Sequence, residues 1–416
     1  MKYISFFFVL FFLLFCTAQT IQAQTISPEG LLQQIPTIDP AIALQANKHT
    51  RYVDLCPQTN SPLIARCFGE AIVDETATPF TTGKPAGFGP AEFRKAYGVS
   101  GEASKSPIVA IVDAYNQPNM LSDLQRYSTT FNLPQLASCA GTIAKSSVPC
   151  FKKVSQTGTT KYPKTDAGWA LEISLDVEAV HAMCDNCSIL LVEATSASNA
   201  NLLKAVDIAI KLGGTIISNS YGGGESSGEK TYDTHFNKPG IGIFASSGDS
   251  GYGVSYPAAS RYVVAVGGTK LNLTKTGTYS SESAWSDGGS GCSDFEFKPT
   301  WQHDIGCNKR TVADIAADAD PTSGAAVYDS VQYQGQKGWF KIGGTSLASP
   351  LIAGMFATGD QLTSNQQAGS FLYGLSATHF HDITKGSNGI CSPSYLCKAS
   401  KGYDGPTGLG SPKGTF

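Results

Sequence analysis

Short apolar runs alternate with longer helical patterns along most of this chain. Ile108–Ala114 (IVAIVDA) is a β-branched run typical of a buried strand, and residues 169–183 carry apolar side chains at helical spacing. Other predicted strands are 188–193, 215–220, 240–246 and 262–266, and other predicted helices are 199–212 and Thr345–Thr358. Strands that alternate with helices indicate an α/β fold: a doubly wound, mostly parallel sheet with helices on both faces.

Composition and charge narrow the class of protein. Hydrophobic residues make up 41% of the 416 residues and charged residues only 15%, which favours a globular chain over a disordered one. Without the first 23 residues, in which Lys2 is the only charged side chain, 29 basic residues face 33 acidic ones, a net charge of −4. That balance provides no basic surface for nucleic acid or anionic lipid.

The N-terminus resembles an export signal. Lys2 precedes an apolar run over residues 4–16, which is followed by polar residues and the small Ala23. The run is too short to span a bilayer, so a signal peptide over residues 1–23 is predicted rather than a membrane anchor. No later segment is apolar for long enough to cross a membrane. We therefore expect a secreted, extracellular protein that is soluble after signal cleavage.

The cysteines support export. Apart from Cys16, ten cysteines form closely spaced pairs, and such pairs in an exported chain indicate local disulfides. The pairs are Cys56/Cys67, Cys139/Cys150, Cys184/Cys187, Cys292/Cys307 and Cys391/Cys397. His181 stands just before Cys184 and Cys187, so half of a metal or redox site is an alternative for that pair. Zinc would need a fourth ligand that no second cysteine pair supplies.

Residues 343–350 (GGTSLASP) are the first of three motifs that point to catalysis. A serine at the start of a helix and preceded by glycines has an exposed hydroxyl beside backbone N–H groups, as a nucleophile next to an oxyanion site requires. Ser346 is the candidate nucleophile. A plain helix N-cap is the alternative, because serine and threonine are common there.

A pair of acidic residues offers the base that a serine nucleophile needs. None of the six histidines lies in a suitable motif, but Glu172 and Asp176 are four residues apart on one predicted helix face. Two solvated acids on an exposed face are the ordinary alternative. Like charges at this spacing destabilise a helix, and the apolar neighbours leave little exposed surface. A proton shared by the two carboxyl groups would relieve the repulsion.

The third motif, residues 246–253 (SSGDSGYG), follows the predicted strand 240–246. Its composition is typical of a turn. Alternatively, a protonated Asp249 donates a hydrogen bond to a developing oxyanion.

Together, in this order, the three motifs resemble those of the sedolisin family, the serine-carboxyl relatives of subtilisin. The family sets Glu and Asp four apart on one helix, an Asp in a Ser-Gly-Asp loop, and a Ser in Gly-Thr-Ser-x-x-x-Pro. Further similarity lies in 88–97 (FGPAEFRKAY), 267–269 (GGT) and 403–410 (YDGPTGLG). The resemblance implies a subtilisin-like fold over residues 79–416. It also implies a serine peptidase, most simply an endopeptidase, with the catalytic residues Ser346, Glu172, Asp176 and Asp249.

The resemblance also has departures. Sedolisins usually carry a long folded pro-domain, whereas here residues 24–78 form only a short N-terminal segment, a possible propeptide. Tyr221 stands where the family often has tryptophan. Asp113, at the end of the first predicted strand, falls where some sedolisins extend the acidic network, so we expect it to support the catalytic carboxyl groups without touching substrate.

A calcium site near the C-terminus is a further implication of the resemblance. Two carboxylates with Gly-rich backbone between them present hard oxygen ligands, the kind Ca²⁺ prefers. The matching ligands are the side chains of Asp382 and Asp404 and the carbonyls of Ile383, Ser400 and Gly402.

Read together, these residues predict acyl transfer in acidic surroundings. Glu172 would take the Ser346 proton and return it to the leaving amine, Asp176 would hold Glu172, and neutral Asp249 would stabilise the oxyanion. We expect a monomer acting on proteins or peptides. Two alternatives are a non-catalytic exported binding protein that keeps the fold, and a subtilisin-like enzyme with a histidine base.

Overall fold

A nine-stranded sheet forms the centre of the protein. The structure, a computed structural model, describes residues 51–59, 61–74, 76–100, 103, 107–359 and 362–416. The predicted signal peptide 1–23 and residues 24–50 lie outside the described residues.

The strands and helices have these bounds. The strands are β1 Arg51–Asp54, β2 Arg66–Cys67, β3 Glu70–Val73, β4 Ile108–Ala114, β5 Ala137–Ser138, β6 Cys150–Ser155, β7 Ser188–Ala194, β8 Ile216–Asn219, β9 Tyr221–Gly224, β10 Gly242–Ser246, β11 Ser255–Tyr256, β12 Val264–Leu273, β13 Tyr279–Ala284, β14 Gly291–Phe297, β15 Lys309–Val312, β16 Ile315–Asp318, β17 Ala325–Tyr333, β18 Gln336–Gly343, β19 Phe380–His381 and β20 Ser411–Pro412. The helices are α1 Pro90–Ala96, α2 Met120–Phe131, α3 Ala167–Met183, α4 Asn199–Lys211, α5 Asp233–Phe236, α6 Thr345–Thr358 and α7 Ala368–Gly374.

The central sheet runs in the order β13-β12-β10-β8-β4-β7-β6-β5, and β16 also pairs with β12. Every pair is parallel except β12 with β13. Strands β7, β6 and β5 lie on one side of β4, and strands β8, β10 and β12 lie on the other. The sheet is thus built outwards from β4 in both directions, as in a doubly wound fold. This confirms the predicted α/β class. Strand β4 and helix α6 have the predicted bounds, whereas β12 extends to Leu273, beyond the predicted end at 266.

Helix α3 is buried on almost every side. It begins after Asp166, whose side chain accepts the N–H groups of Gly168 and Trp169 at 3.1 Å, satisfying two otherwise unpaired donors. The helix packs against α6, β17 and the strands β4 and β7. Helix α4 packs on the same two strands without extensive contact to α3, which indicates that it covers the opposite face.

The first described residues are integrated into the fold. Strands β1 and β3 pair with each other, and β3 also pairs with β18, giving a four-stranded sheet β1-β3-β18-β17. Strand β2 pairs antiparallel with β9, which directly follows the central strand β8. These pairings bring β1, β2 and β3 to the end of the sheet at which α6 begins.

All five predicted cysteine pairs form disulfides in the structure. Cys184 and Cys187 are thus bonded to each other, which excludes the alternative of half a zinc site at that pair. Across the described ranges, the structure contains no helix long and apolar enough to cross a membrane.

Candidate active site

Ser346 is the second residue of α6 and is completely buried. Its hydroxyl donates to the carbonyl oxygen of Ser220 at 3.2 Å and accepts the backbone N–H of Phe68 at 3.0 Å. Ser220 lies between β8 and β9, so the end of the sheet and the start of α6 meet at this hydroxyl. The serine therefore does more than cap its helix, since its hydroxyl makes contacts to two distant segments.

Glu172 and Asp176 lie one turn apart on α3, and both are completely buried. Burial, reinforced by the charge of Asp176, raises the pKa of Glu172 well above its usual value. The Ser346 hydroxyl is near Glu172 and offsets part of this rise in pKa. The two side chains are not joined by a hydrogen bond of normal geometry. The structure thus brings the predicted serine and acidic pair together.

Asp113, near the end of β4, lies beside this acidic group. Burial and the nearby Glu172 raise the pKa of Asp113, and burial together with the charge of Asp113 raises the pKa of Asp176. Glu193 stands opposite Asp113 on β7, and burial raises its pKa to about 7 despite Lys153, whose Nζ lies 3.5 Å from Oε1 of Glu193. The sequence analysis did not identify Glu193, because an acidic residue at the end of the predicted strand 188–193 looks like any other strand end.

Asp249 follows β10 and faces the N-terminus of α6. Its Oδ1 accepts the backbone N–H and the hydroxyl of Thr345 at 2.9 and 2.6 Å, whereas Oδ2 is buried without a partner. Burial raises the pKa of Asp249 to about 8. A neutral carboxyl with its proton on Oδ2 would therefore have a free donor aimed away from Thr345.

Gly344 is required at its position for two reasons. Its φ of +96° is in the left-handed region, and a Cβ there would lie 1.8 Å from the carbonyl oxygen of Phe68 and 2.6 Å from Oδ2 of Asp249. The second glycine of the motif 343–350 thus keeps the space open in front of Ser346.

No histidine of the described ranges belongs to this group. In the described part of the chain, no hydrogen bond joins a histidine to Ser346. His181 lies on α3 but its ring contacts the carbonyl oxygen of Pro134 at 3.0 Å, and burial lowers its pKa to about 4. A serine–histidine arrangement is therefore not supported by the described residues.

Sequence reasoning missed the chain segment that crosses the site, residues 66–70. Phe68 contacts Ser346, and Glu70 is buried beside Asp249, whose charge contributes to raising the pKa of Glu70 after burial itself. The only local signal is a glycine, Gly69, close behind the disulfide-bonded Cys67. Such a signal is too common to indicate a role.

The predicted calcium ligands lie in one loop region. Asp404 is buried and accepts the N–H of Ser400 at 2.8 Å and the N–H and hydroxyl of Thr407 at 2.9 Å, while both oxygens of Asp382 accept the N–H of Gly402, at 3.0 and 3.2 Å. Burial, and to a lesser degree the nearby Asp382, raise the pKa of Asp404 to about 7.

Asp382 and Asp404 repel each other, and neither has a basic partner in an ion pair of the described part of the chain. Such a pair of carboxylates is suited to binding a divalent cation. None of the ion pairs among the described residues involves Asp382 or Asp404. No group of three or more metal-ligating His, Cys, Asp or Glu side chains occurs within those residues, so backbone carbonyls would have to complete the shell. The predicted carbonyls of Ile383, Ser400 and Gly402 belong to this loop region.

Comparisons with known proteins agree with this geometry. The profile of the subtilase family matches residues 137–370, more than half of the chain. Kumamolisin from Bacillus sp. (strain MN-32) is 32% identical over 310 residues, which cover 64% of this chain and 54% of kumamolisin. Sedolisin from Pseudomonas sp. (strain 101) is 40% identical over 179 residues, which cover 39% of this chain and 29% of sedolisin.

Xanthomonalisin from Xanthomonas sp. (strain T-22) is 35% identical over 184 residues, 38% of this chain and 21% of xanthomonalisin. The chain thus spans about half or less of the length of these curated relatives. Among solved structures, Pseudomonas sedolisin, a serine-carboxyl proteinase in complex with pseudo-iodotyrostatin, superimposes with a TM-score of 0.65 at 27% identity, over 80% of this chain and 96% of the other. The chain belongs to the subtilase family and, within it, to the sedolisins.

Proposed function

We propose that the chain is a serine-carboxyl peptidase that hydrolyses peptide bonds through an ester on Ser346. This buried serine lies among three buried carboxyl groups, and no described histidine belongs to the group. That arrangement carries the proposal. The carboxyl groups are those of Glu172, Asp176 and Asp249.

Glu172 acts as the proton carrier. Burial and mutual repulsion keep the pair formed with Asp176 from losing both protons. The mechanism uses the singly ionised pair, in which the charged carboxyl of Glu172 takes the proton of Ser346. The same group then returns the proton to the amine that leaves. Asp176 orients Glu172 and buffers its proton, as the third residue of a triad does.

Asp249 stabilises the oxyanion of the tetrahedral intermediate. Its unpaired Oδ2 supports this role, because a donor must face the place where charge develops. The role requires the neutral acid, so the rate falls when Asp249 ionises. Its pKa of about 8 belongs to a fully buried carboxyl. Water that enters a working cleft would lower this value, and such a shift supports the proposal that the reaction runs in acid.

The setting we propose is an acidic extracellular one, with proteins or peptides as substrates and the chain acting as a monomer. Residues 1–23 have the pattern of an export signal, and five disulfides suit an oxidising compartment. The absence of a basic excess speaks against nucleic acid as a partner.

We further propose that the Asp382/Asp404 loop binds Ca²⁺ and that the ion is structural. Bound there, Ca²⁺ would neutralise two carboxylates that otherwise repel each other. The loop shares no residue with the group around Ser346, so the ion has no step in the reaction.

A cleavage assay over a range of pH tests the proposed function. The full chain and its Ser346→Ala variant are incubated with a denatured protein substrate, and fragments are measured by mass spectrometry. We expect cleavage in acid that Ser346→Ala reduces by about 10⁶-fold. Ser349→Ala is the matched control. Ser349 is also a buried serine of α6, and its hydroxyl forms a hydrogen bond with that of Ser218 at 2.9 Å. This variant should keep its activity.

Three outcomes separate the alternatives. Cleavage only in acid supports the serine-carboxyl peptidase. Cleavage that is strongest at neutral pH would indicate a histidine-dependent enzyme, and a folded chain without cleavage at any pH would indicate a non-catalytic binding protein.

A further inference from the structure

A row of buried carboxyl groups leads from the nucleophile toward the β5 edge of the central sheet. Asp113 on β4 pairs directly with Glu193 on β7, and directly paired residues of parallel strands face the same side of a sheet. That side is the one covered by α3, because Asp113 lies close to both Glu172 and Asp176 of this helix. These four side chains, Glu172, Asp176, Asp113 and Glu193, are called the carboxyl array below.

The carboxyl array is buried and poor in hydrogen bonds. All four residues are completely buried. Both oxygens of Asp113, Glu172 and Asp176, and Oε2 of Glu193, accept no hydrogen bond of normal geometry from the described residues. A buried carboxylate in such surroundings is unstable unless a positive charge lies nearby. Transfer of the Ser346 proton nevertheless requires one ionised carboxyl in the array, so the source of positive charge matters for the reaction.

Lys153 on β6 provides that charge. Its Nζ lies 3.5 Å from Oε1 of Glu193. Ser155 is the residue of β6 that pairs with Glu193, and Lys153 comes two residues before it. Because alternate residues of a strand face the same side, the side chain of Lys153 lies on the face of the sheet that carries the array.

The ammonium group of Lys153 is held in place. Nζ donates to Oδ1 of Asn116 and to the carbonyl oxygen of Gln117, both at 2.8 Å, and the N–H of Gln117 donates to Oε1 of Glu193 at 2.9 Å. The centroid of the Tyr162 ring is 4.2 Å from Nζ, and only 11% of the Lys153 side chain is exposed. The charge is therefore fixed between this ring and the array, where water screens it poorly.

The other charged groups that face the array or Lys153 do not replace this cation. Four further carboxyl groups do so from α2, α3, β17 and the loop after β10, and these are Asp123, Glu178, Asp329 and Asp249. The hydroxyls of Tyr162 and Tyr221, which interact with Glu193 and Asp113, are neutral in acid. Arg66 lies near Asp249 but forms its ion pair with Asp54, at 3.3 Å. In the described part of the chain, Lys153 is thus the one basic side chain that forms an ion pair with the array.

We propose that Lys153 is a positioning residue of the reaction, whose fixed charge keeps one carboxyl of the array ionised in acid and so sets the lower pH limit of activity. This proposal rests on the proposed function. Lys153 acts through Glu193 and Asp113 and does not touch the substrate.

The direction of the effect follows from the protonation of Glu193. Burial raises the pKa of Glu193 to about 7, so this carboxyl is neutral in acid and does not cancel the charge of Lys153. Neighbouring strands are about 4.8 Å apart, which places β6 about 10 Å from β4. At an effective dielectric constant of about 20, a charge at that distance shifts a pKa by about one unit. Loss of Lys153 should therefore raise the pKa of the array, and the lower pH limit should rise with it.

The test is the pH dependence of kcat/KM for a peptide, measured with the full chain from mildly to strongly acidic pH. The acid limb of this profile reports the first ionisation of the catalytic carboxyl groups in the free enzyme. Lys153→Met removes the charge and keeps the apolar stem, and its acid limb should move to higher pH by roughly 0.5–1 unit. Lys153→Arg keeps the charge and should keep the acid limb of wild type. Circular dichroism at each pH verifies folding. Should the Met variant not fold, Lys153→Gln takes its place, because its amide can still donate a hydrogen bond.

Lys152→Met is the matched control. Lys152 precedes Lys153 on β6 and pairs with Leu190, so its side chain faces the other side of the sheet. None of the ion pairs among the described residues involves Lys152, and its acid limb should coincide with that of wild type. Glu193→Gln fixes this carboxyl in its neutral form, so its acid limb should also stay in place, whatever the variant does to kcat.

The outcomes are distinct. An acid limb of Lys153→Met that coincides with that of Lys152→Met, or that moves to lower pH, would overturn the proposal and leave the proposed function standing. An equal shift in Lys153→Arg or in Glu193→Gln would also overturn it, because packing and not charge would then be the cause. A folded wild-type chain without turnover at any pH would overturn the proposed function and this proposal with it.

Discussion

Replacing Asp249 distinguishes the proposed mechanism from that of serine peptidases that rely on backbone donors alone. Thr345 occupies Oδ1 with two hydrogen bonds, at 2.9 and 2.6 Å, whereas Oδ2 has no partner and faces the carbonyl oxygen of Phe68. A neutral Asp249 therefore carries its donor proton on Oδ2. With a pKa of about 8 in the intact chain, roughly one carboxyl in a thousand is ionised at pH 5, so the donor is almost always present in acid.

Two substitutions have opposite expected results. Asp249→Ala removes the donor, and kcat should fall about 10²–10³-fold, which corresponds to about 2.7–4 kcal/mol of transition-state stabilisation. Asp249→Asn keeps an acceptor for Thr345 and places an amide N–H where Oδ2 was. It should keep part of the activity, and the loss of rate caused by ionisation of Asp249 should disappear. Any remaining fall at higher pH belongs to the Glu172/Asp176 pair.

The assay is kcat for a chromogenic peptide, measured across pH for each variant. Asp294→Asn, at an exposed aspartate of β14, is the control for a lost charge and should resemble wild type. Near-normal activity of Asp249→Ala in acid would refute the reasoning and leave Asp249 as a turn residue.

Four further predictions follow from the same geometry. Glu172→Gln cannot carry a proton and should lower kcat about 10²–10⁴-fold at unchanged circular dichroism; unchanged turnover would remove Glu172 from the mechanism. Gly344→Ala should abolish peptide cleavage because its Cβ would overlap the carbonyl oxygen of Phe68, whereas Gly374→Ala, with no atom within 4 Å, should be silent in the same assay. Buried carboxyl groups with raised pKa bind more protons in the folded than in the unfolded chain. The free energy of unfolding should therefore fall as pH rises, by about 1.4 kcal/mol per pH unit for each extra proton. Equal denaturant midpoints in acid and at neutral pH would contradict this. A chelator or Asp382→Ala should lower the melting temperature, since Ca²⁺ at a hundredfold excess over Kd stabilises by about 2.7 kcal/mol; an unchanged melting curve and no calcium by metal analysis would remove the site.

Local patterns made much of the fold predictable. Strand β4 is a run of β-branched residues that can be buried on both faces, and α6 is a run of small and apolar residues, so their bounds followed from the sequence alone. Strand β12 was predicted too short because its second half, with Lys270 and Asn272, is only partly buried and lacks a continuous apolar run.

The grouping of the candidate active site was predictable from motif order and residue chemistry. Ser346 starts a helix and Asp249 follows a strand, at the edge where a parallel sheet gathers such positions, and the acidic pair lies on a helix that packs on that sheet. The position of residues 66–70 in the site was not predictable. Strand β2 has two residues, and its pairing with β9 joins positions more than 150 residues apart in sequence. No local pattern indicates such a pairing, and Glu70 was missed for the same reason.

Trapping the ester on Ser346 is the most direct test of the account. Wild-type chain that is turning over a slowly deacylating peptide ester in acid is quenched with strong acid, digested and mapped by mass spectrometry. The account predicts an acyl group on the peptide containing Ser346, and none in Ser346→Ala. Turnover with an acyl group on another residue, or equal labelling of the Ala variant, would contradict it.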